Sequence, residues 1–221
     1  MDDSIRSFGR AAGPRAMLML LSTALVMTAP AWAASGSQAA SKSWDFESAR
    51  IGAAPEGFTQ EVGRWEVVQD GKGRVLAQLA ESERRAYNLA LINDASYQDV
   101  DISVRVKANS GAVDQGGGLV WRAKDKDNYY TARYNPLEDN FRVYKVENGK
   151  RTQLDHADAK GDREWHTLRI TMRGREILGY LDGKKLLVAE DSTFPDAGKI
   201  GLWSKADARS FFDNLTIAGA R

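Results

Sequence analysis

The chain has 221 residues, with 31 Lys and Arg against 30 Asp and Glu and no Cys. This near-balance argues against a partner tracked through nucleic-acid phosphates and against electrostatic docking on an anionic membrane. The missing Cys excludes disulfides, thiol nucleophiles and a lipidated Cys anchor, and the length is enough to bury a core without covalent staples.

The N-terminal end reads as an export signal. Arg6, Arg10 and Arg15 form a basic lead, Met17 to Ala29 carries no charge, and Ala31-Trp32-Ala33 supplies a small-x-small cleavage pattern. The apolar run of 13 residues is short of the roughly 20 that span a bilayer. A signal peptide over 1–33 is therefore expected to be cleaved, sending the protein to the periplasm or outside the cell without membrane insertion of the mature chain. No adjacent Arg pair marks the twin-arginine route. Losing residues 1–33 removes three Arg and two Asp, which leaves basic and acidic residues equal in number. The Ser/Ala/Gly-rich stretch 34–42 reads as a flexible linker, and one domain is expected over 43–219.

From Ser43-Trp44-Asp45-Phe46 onward, no ten-residue stretch keeps an apolar stripe at helical spacing. Short runs with period-2 alternation recur instead. Val100, Ile102, Val104 and Val106 alternate with Asp101, Ser103 and Arg105; Leu168, Ile170 and Met172 alternate with Arg169 and Thr171. Such alternation means antiparallel sheet with one wet face. Asn148-Gly149 and Asp182-Gly183 are strong hairpin turns, and Asp70-Gly71 is a third. About twelve to fourteen strands and no helix are expected, with Phe194 to Gly198 as a turn or single helical turn. Many short strands in one domain mean a sandwich or a barrel.

Consecutive strand-like segments from Gly117 to Asp155 sort into two faces. Hairpin tips at Asp125-Lys126 and Asn148-Gly149, and the loop Asn135 to Asn140, set Arg122 beside Tyr129, Val120 beside Thr131, Arg133 beside Arg142, Tyr144 beside Gln153 and Arg142 beside Asp155. One face then holds Leu119, Trp121, Tyr130, Ala132, Tyr134, Phe141, Val143 and Leu154. The other collects Arg122, Tyr129, Arg133, Arg142, Tyr144, Gln153 and Asp155. Arginine offers a planar fork of donors for carboxylates and vicinal hydroxyls, and tyrosine an apolar ring with a polar tip. Such a face suits a sugar, or solvent alone. Trp203 and Lys205 are expected at its rim, and an Arg142–Asp155 ion pair would pin one guanidinium.

The chain resembles the concanavalin A-like lectin/glucanase superfamily, in its laminin-G-like and 3-keto-disaccharide hydrolase-like branches. The resemblance rests on Trp44-Asp45-Phe46-Glu47, Gly117-Gly118-Leu119-Val120-Trp121-Arg122, Asp127-Asn128-Tyr129-Tyr130-Thr131-Ala132-Arg133, Trp165-His166-Thr167-Leu168-Arg169-Ile170, Tyr180-Leu181-Asp182-Gly183-Lys184, Gly198-Lys199-Ile200-Gly201-Leu202-Trp203 and Phe212-Asp213-Asn214-Leu215-Thr216-Ile217. It implies an all-β jelly-roll sandwich of two antiparallel sheets whose concave face commonly holds carbohydrate. The carboxylate cluster Glu-x-Asp-x-x-Glu of the superfamily's laminarinase-type glycosidases does not occur here, and glycosidases need two positioned carboxylates.

No catalytic residue, metal ligand or cofactor follows from the rest. His156 and His166 sit outside any metal-ligand spacing and read as surface histidines, and Gly116-Gly117-Gly118 reads as a bulge or a close sheet contact. Asp45 and Asp213, near the two ends of the domain, are the candidate ligands for a structural calcium. The expected function is a secreted, non-catalytic module binding a polar or acidic glycan. One alternative is cleavage of an activated glycoside, with the Arg cluster stabilising an enolate-like charge. Another is a face that meets a protein partner.

Overall fold

The computed structural model describes residues 41–218. The expected leader, and the linker as far as residue 40, lie outside the described residues. Fifteen strands follow in order: β1 (Lys42–Trp44), β2 (Phe58–Val62), β3 (Trp65–Asp70), β4 (Gly73–Gln78), β5 (Tyr87–Tyr97), β6 (Val100–Ser110), β7 (Gly117–Asp125), β8 (Asn128–Asn135), β9 (Asn140–Glu147), β10 (Lys150–Asp158), β11 (Trp165–Arg173), β12 (Glu176–Leu181), β13 (Lys184–Glu190), β14 (Gly198–Lys205) and β15 (Arg209–Ile217). No helix occurs among the described residues, so none is long and apolar enough to cross a membrane. The stretch from Phe194 to Gly198 makes no helical turn: Phe194 to Ala197 is an irregular loop and Gly198 opens β14.

The strands form two antiparallel sheets, a jelly-roll-like sandwich. One sheet runs β13-β12-β11-β6-β15-β4-β3, with β1 also on β15; the other runs β10-β9-β8-β7-β14-β5-β2. Lys42 lies opposite Ile217 in the β1–β15 pair, so the first and last strands are neighbours. The inner faces meet in one apolar core. Val100, Ile102, Val104 and Val106 of β6 and Leu168, Ile170 and Met172 of β11 enter it from one side, and Leu119, Trp121, Tyr130, Ala132, Tyr134, Phe141 and Val143 from the other. Each large side chain buried there contributes roughly 1.5–3 kcal/mol.

The turns follow local chemistry. Asn148 and Gly149 have φ of 51° and 74°, and Asp182 and Gly183 have 49° and 78°. These are left-handed pairs of the type that matches strand twist. At the third hairpin Asp70 already pairs with Gly73. The turn therefore falls on Gly71-Lys72, one residue later than expected, with Gly71 at φ 61°. Gly118 lies so close to β8 that a Cβ would run into the Ala132 carbonyl. The glycine run thus serves close sheet contact.

Three of the five expected pairings occur: Val120 with Thr131, Arg133 with Arg142, and Tyr144 with Gln153. Two do not, and a bulge interrupts each. Between Trp121 and Asp125 the β7 register shifts and Arg122 takes a left-handed φ of 47°. Its side chain leaves the alternation, so it does not stand beside Tyr129. Between Gln153 and Asp155 the β10 register shifts as well. His156, not Asp155, then lies opposite Arg142.

Candidate functional site

The outer face of the seven-stranded sheet carries a second, smaller apolar cluster of Leu89, Leu91, Val120, Ala123, Tyr129, Val146 and Trp203. Polar residues border it on β8, β9 and β10. Period-2 alternation puts Thr131 and Arg133 of β8, Arg142 and Tyr144 of β9, and Arg151 and Gln153 of β10 on this side.

One carboxylate organises the upper part. Arg133 Nη2 donates to Glu138 Oε2 at 2.8 Å, and Arg142 Nη1 donates to the same oxygen at 3.3 Å. Asn140 Nδ2 adds a third donor at 3.2 Å, while Asn140 Oδ1 accepts from Arg133 Nη1 at 3.2 Å. Burial alone would raise the Glu138 carboxyl, but the hydrogen bond and charge of Arg133, with help from Asn140 and Arg142, hold it down at about 2. It is a fixed anion at neutral pH. Asn135 supports the loop around it by accepting from the backbone N–H of Leu137 and Glu138 at 2.9 and 3.2 Å.

Tyr144 forms the centre. Its ring lies 5.9 Å from the Arg133 guanidinium and 4.3 Å from that of Arg151. Arg151 also sits 5.5 Å from the Tyr87 ring and 5.8 Å from that of Trp203, a cation held over three aromatic faces. Among the described residues, four buried side-chain atoms on this face have no hydrogen-bond partner in the protein: Thr131 Oγ1, Arg133 Nε, Arg142 Nε and Arg151 Nη1. Buried polar groups are normally satisfied, and each orphan costs about 1–3 kcal/mol. Four on one sheet face mark a place that an outside polar group can stabilise.

The expected site residues divide. Arg133, Arg142, Tyr144 and Gln153 share this face. Gln153 is exposed and Arg142 half-buried, while Arg133 and Tyr144 are covered. Tyr129 and Trp203 are on it too, but both are fully buried. Trp203 Nε1 donates to Tyr129 Oη at 3.2 Å, and the Tyr87 ring packs against Trp203 in a tilted arrangement at 5.5 Å between centroids. Neither ring is open for stacking on a sugar, because Tyr87 and Arg151 already occupy that position. Burial accordingly pushes the Tyr129 hydroxyl far up. Lys205 pairs with buried Asp114 at 2.7 Å, and Asp114 accepts from Asn135 at 2.9 Å. This couple is neutral and locks the strand end to the loop.

Two expected residues are elsewhere. Arg122 is a buried structural cation: it donates to the carbonyls of Gln98, Phe194 and Gly174 at 2.5, 2.9 and 2.8 Å. Its left-handed backbone at the bulge turns it to these loops, and burial lowers its pKa. Asp155 accepts from the Val188 backbone N–H at 2.8 Å, reaching the opposite sheet, so the Arg142–Asp155 ion pair does not form. Arg142 uses Glu138 instead. Sequence reasoning missed Arg151, Glu138 and Tyr87. Arg151 was legible by parity, two positions before Gln153; Glu138 was hidden because it sits in the turn between β8 and β9, where alternation assigns no side, and only its carboxylate reaches Arg133 and Arg142.

Other polar groups serve structure. His166 bridges Asp182 at 2.7 Å and Asp162 at 2.8 Å. Asp213 lies 3.5 Å from Arg105. Burial, with Asp45 and Glu47 nearby, raises its pKa. Among the described residues no group of three His, Asp or Glu is placed to hold a metal ion. A cleft of about 510 Å³ lined by residues from Ser43 to Glu56 contains none of the expected ligand residues and no orphaned buried polar atom.

The sequence profile of the 3-keto-alpha-glucoside-1,2-lyase-like domain family matches residues 30–218. Comparison with curated protein sequences finds no match. Among solved structures, the carbohydrate-binding module CBM66 from Bacillus subtilis is similar at a TM-score of 0.62 and 24% identity, covering 72% of this chain and 94% of its own. A Bacillus subtilis protein of unknown function with a galectin-like fold aligns at 0.56 and 11% identity, over 73% and 89% of the two chains. Domain 4 of AbnA, an extracellular arabinanase of Geobacillus stearothermophilus in complex with arabinotriose, aligns at 0.55 and 13% identity, over 80% and 91%. At these identities the structural likenesses speak to the fold alone.

Proposed function

The chain belongs to the 3-keto-alpha-glucoside-1,2-lyase-like domain family, and from that premise we propose that it is a non-catalytic glycan-binding module whose ligand lies on the outer face of the seven-stranded sheet. The observation that carries the proposal is the arrangement of three guanidiniums, Arg133, Arg142 and Arg151, around Tyr144, with four buried polar atoms left without protein partners. Arg142, Arg151, Gln153 and Tyr87 make up its accessible part. They offer planar donors, an amide and an aromatic edge, a set that suits sugar hydroxyls and C–H faces. CBM66 and the arabinotriose-bound arabinanase domain, which share the fold, are proteins whose descriptions concern carbohydrate.

Binding without cleavage is favoured by the state of the one carboxylate at the face. Glycoside cleavage by acid–base catalysis needs a carboxylic acid kept protonated near neutral pH beside a second carboxylate. Glu138 is held the other way, at about 2. Family membership supports a second reading, cleavage of a glycoside already oxidised at C3, where Arg133 and Arg142 would stabilise an enolate-like oxygen.

The test is calorimetry of the mature domain against a broad glycan panel, with Arg142→Ala/Gln153→Ala as the binding-face variant and mass spectrometry of each mixture. Binding that the double substitution lowers at least tenfold, without product, is the expected result. Release of a product from a 3-keto-glycoside moves the reading to the enzyme. Binding untouched by the double substitution removes the face from consideration. No glycan bound, with a protein partner captured through the same face, favours the partner-binding alternative.

Export belongs to the same proposal. A lead of Arg6, Arg10 and Arg15, the apolar run and Ala31-Trp32-Ala33 support cleavage after Ala33 and release into the periplasm or beyond. N-terminal sequencing of the protein from fractionated cells should begin at Ala34. An intact Met1 in the cytoplasmic fraction would overturn it.

A further inference from the structure

We infer that the ligand of this face carries a carboxylate, as a hexuronic acid does, and that Arg151 is the residue that selects it. The inference rests on the glycan-binding reading above and deepens it.

The charge balance of the face is uneven. Arg133 and Arg142 converge on one oxygen of one carboxylate, Glu138 Oε2. Lys205 and Asp114 cancel each other. Arg151 has no carboxylate within ion-pair distance among the described residues, and is held only by the rings of Tyr144, Tyr87 and Trp203. The face therefore presents three guanidiniums against one carboxylate, Glu138, that two of them already share. A cation in partly desolvated surroundings is normally paired. Among the described residues no second carboxylate meets this charge.

Arg151 is also prepared for that anion. A guanidinium packed against aromatic rings keeps its N–H donors at its planar edge, the geometry that takes a carboxylate with two parallel hydrogen bonds. Its Nη1 is buried and has no acceptor in the protein. Exposed Gln153 follows two positions along β10, directly opposite Tyr144, and half-buried Arg142 lies on neighbouring β9, two positions before Tyr144. A hexuronate can place its carboxylate on Arg151 and its ring hydroxyls on Gln153 and Arg142. A neutral sugar fills the same hydroxyl positions but leaves the positive charge uncompensated. Discrimination then comes from the carboxylate, because a buried charged donor without its partner is the costly case.

The experiment compares oligomers of galacturonate, glucuronate and guluronate with their neutral hexose counterparts by calorimetry, at about 50 and about 500 mM salt. It uses the mature domain and its Arg151→Gln and Arg151→Lys variants, each checked for fold by circular dichroism. At least one acidic oligomer should bind tenfold or more tighter than its neutral counterpart. That preference should shrink in high salt and collapse toward equality in Arg151→Gln. Arg151→Lys should keep part of it, as charge without the fork. Neutral oligomers bound as tightly as acidic ones, or a preference that survives Arg151→Gln, overturns the inference while leaving the glycan-binding reading in place. No binding of any oligomer, acidic or neutral, in this set and in the broad panel overturns both.

Discussion

Arg122 Nη1 donates to the backbone carbonyl of Phe194 at 2.9 Å, across 72 positions of sequence. Two further donors of the same guanidinium hold Gln98 and Gly174, so one side chain ties three loops at one end of the sandwich. Arg122→Ala would orphan three carbonyls at once. The expected cost is roughly 2–4 kcal/mol, read as a lower urea midpoint, with glycan binding of the folded protein retained. Lost binding at unchanged stability would instead put Arg122 on the ligand face.

Trp203 and Tyr129 are a second structural pair. Trp203→Ala should cost about 3–5 kcal/mol as a large cavity opens under Tyr87 and Arg151. Tyr129→Phe removes only the oxygen that accepts from Trp203 Nε1, about 1 kcal/mol. Denaturant titration followed by far-ultraviolet dichroism separates the two. Equal effects would contradict the packing described.

Acid should weaken the fold over a defined range. Burial opposes ionisation of Asp191, but hydrogen bonds from Thr193, Tyr130 and Lys145 bring it to about 2, below its ordinary value of 3.8. Glu138 is likewise depressed to about 2 from 4.5. A depressed carboxylate stabilises above its unfolded value, and that contribution disappears as pH falls through the folded value. Stability should therefore decline between about pH 4.5 and about pH 2. Asp191→Asn should flatten that slope when unfolding midpoints are measured across the range. An unchanged slope would show that Asp191 is not held ionised.

The opposite sign applies to His166. Burial lowers its pKa, but hydrogen bonds to Asp182 and Asp162 outweigh this and raise it above 6.5. A raised histidine stabilises fully below its unfolded value and loses the contribution as pH rises through the folded value. Melting temperatures should fall on the alkaline side of 6.5, and less so in His166→Gln. An imidazole titration by NMR that ends below 6.5 would sink the idea.

The sandwich and most of its register were legible in the sequence, because strand alternation and Asn-Gly or Asp-Gly turns are local signals. Thr131, Arg133, Arg142, Tyr144 and Gln153 fell on one face for that reason. Arg122 and Asp155 were misplaced where a bulge adds a residue and breaks parity, and nothing local announces a bulge at a bulky Arg with positive φ. His166 read as an ordinary surface residue, because Asp182 reaches it from the turn after the next strand and Asp162 from the irregular loop just before β11, where strand alternation assigns no side. The covering of Trp203 by Tyr87 and Arg151 was invisible for a different cause: period-2 alternation assigns a side but not what lies over it.

The pairing of β1 with β15 sets Lys42 beside Ile217 in the eight-stranded sheet, whereas the arginine–tyrosine face is the outer side of the seven-stranded one. Any segment joined to either end is tethered to the back of the sandwich. The domain could thus be spliced into a host loop whose two ends lie only a strand spacing apart.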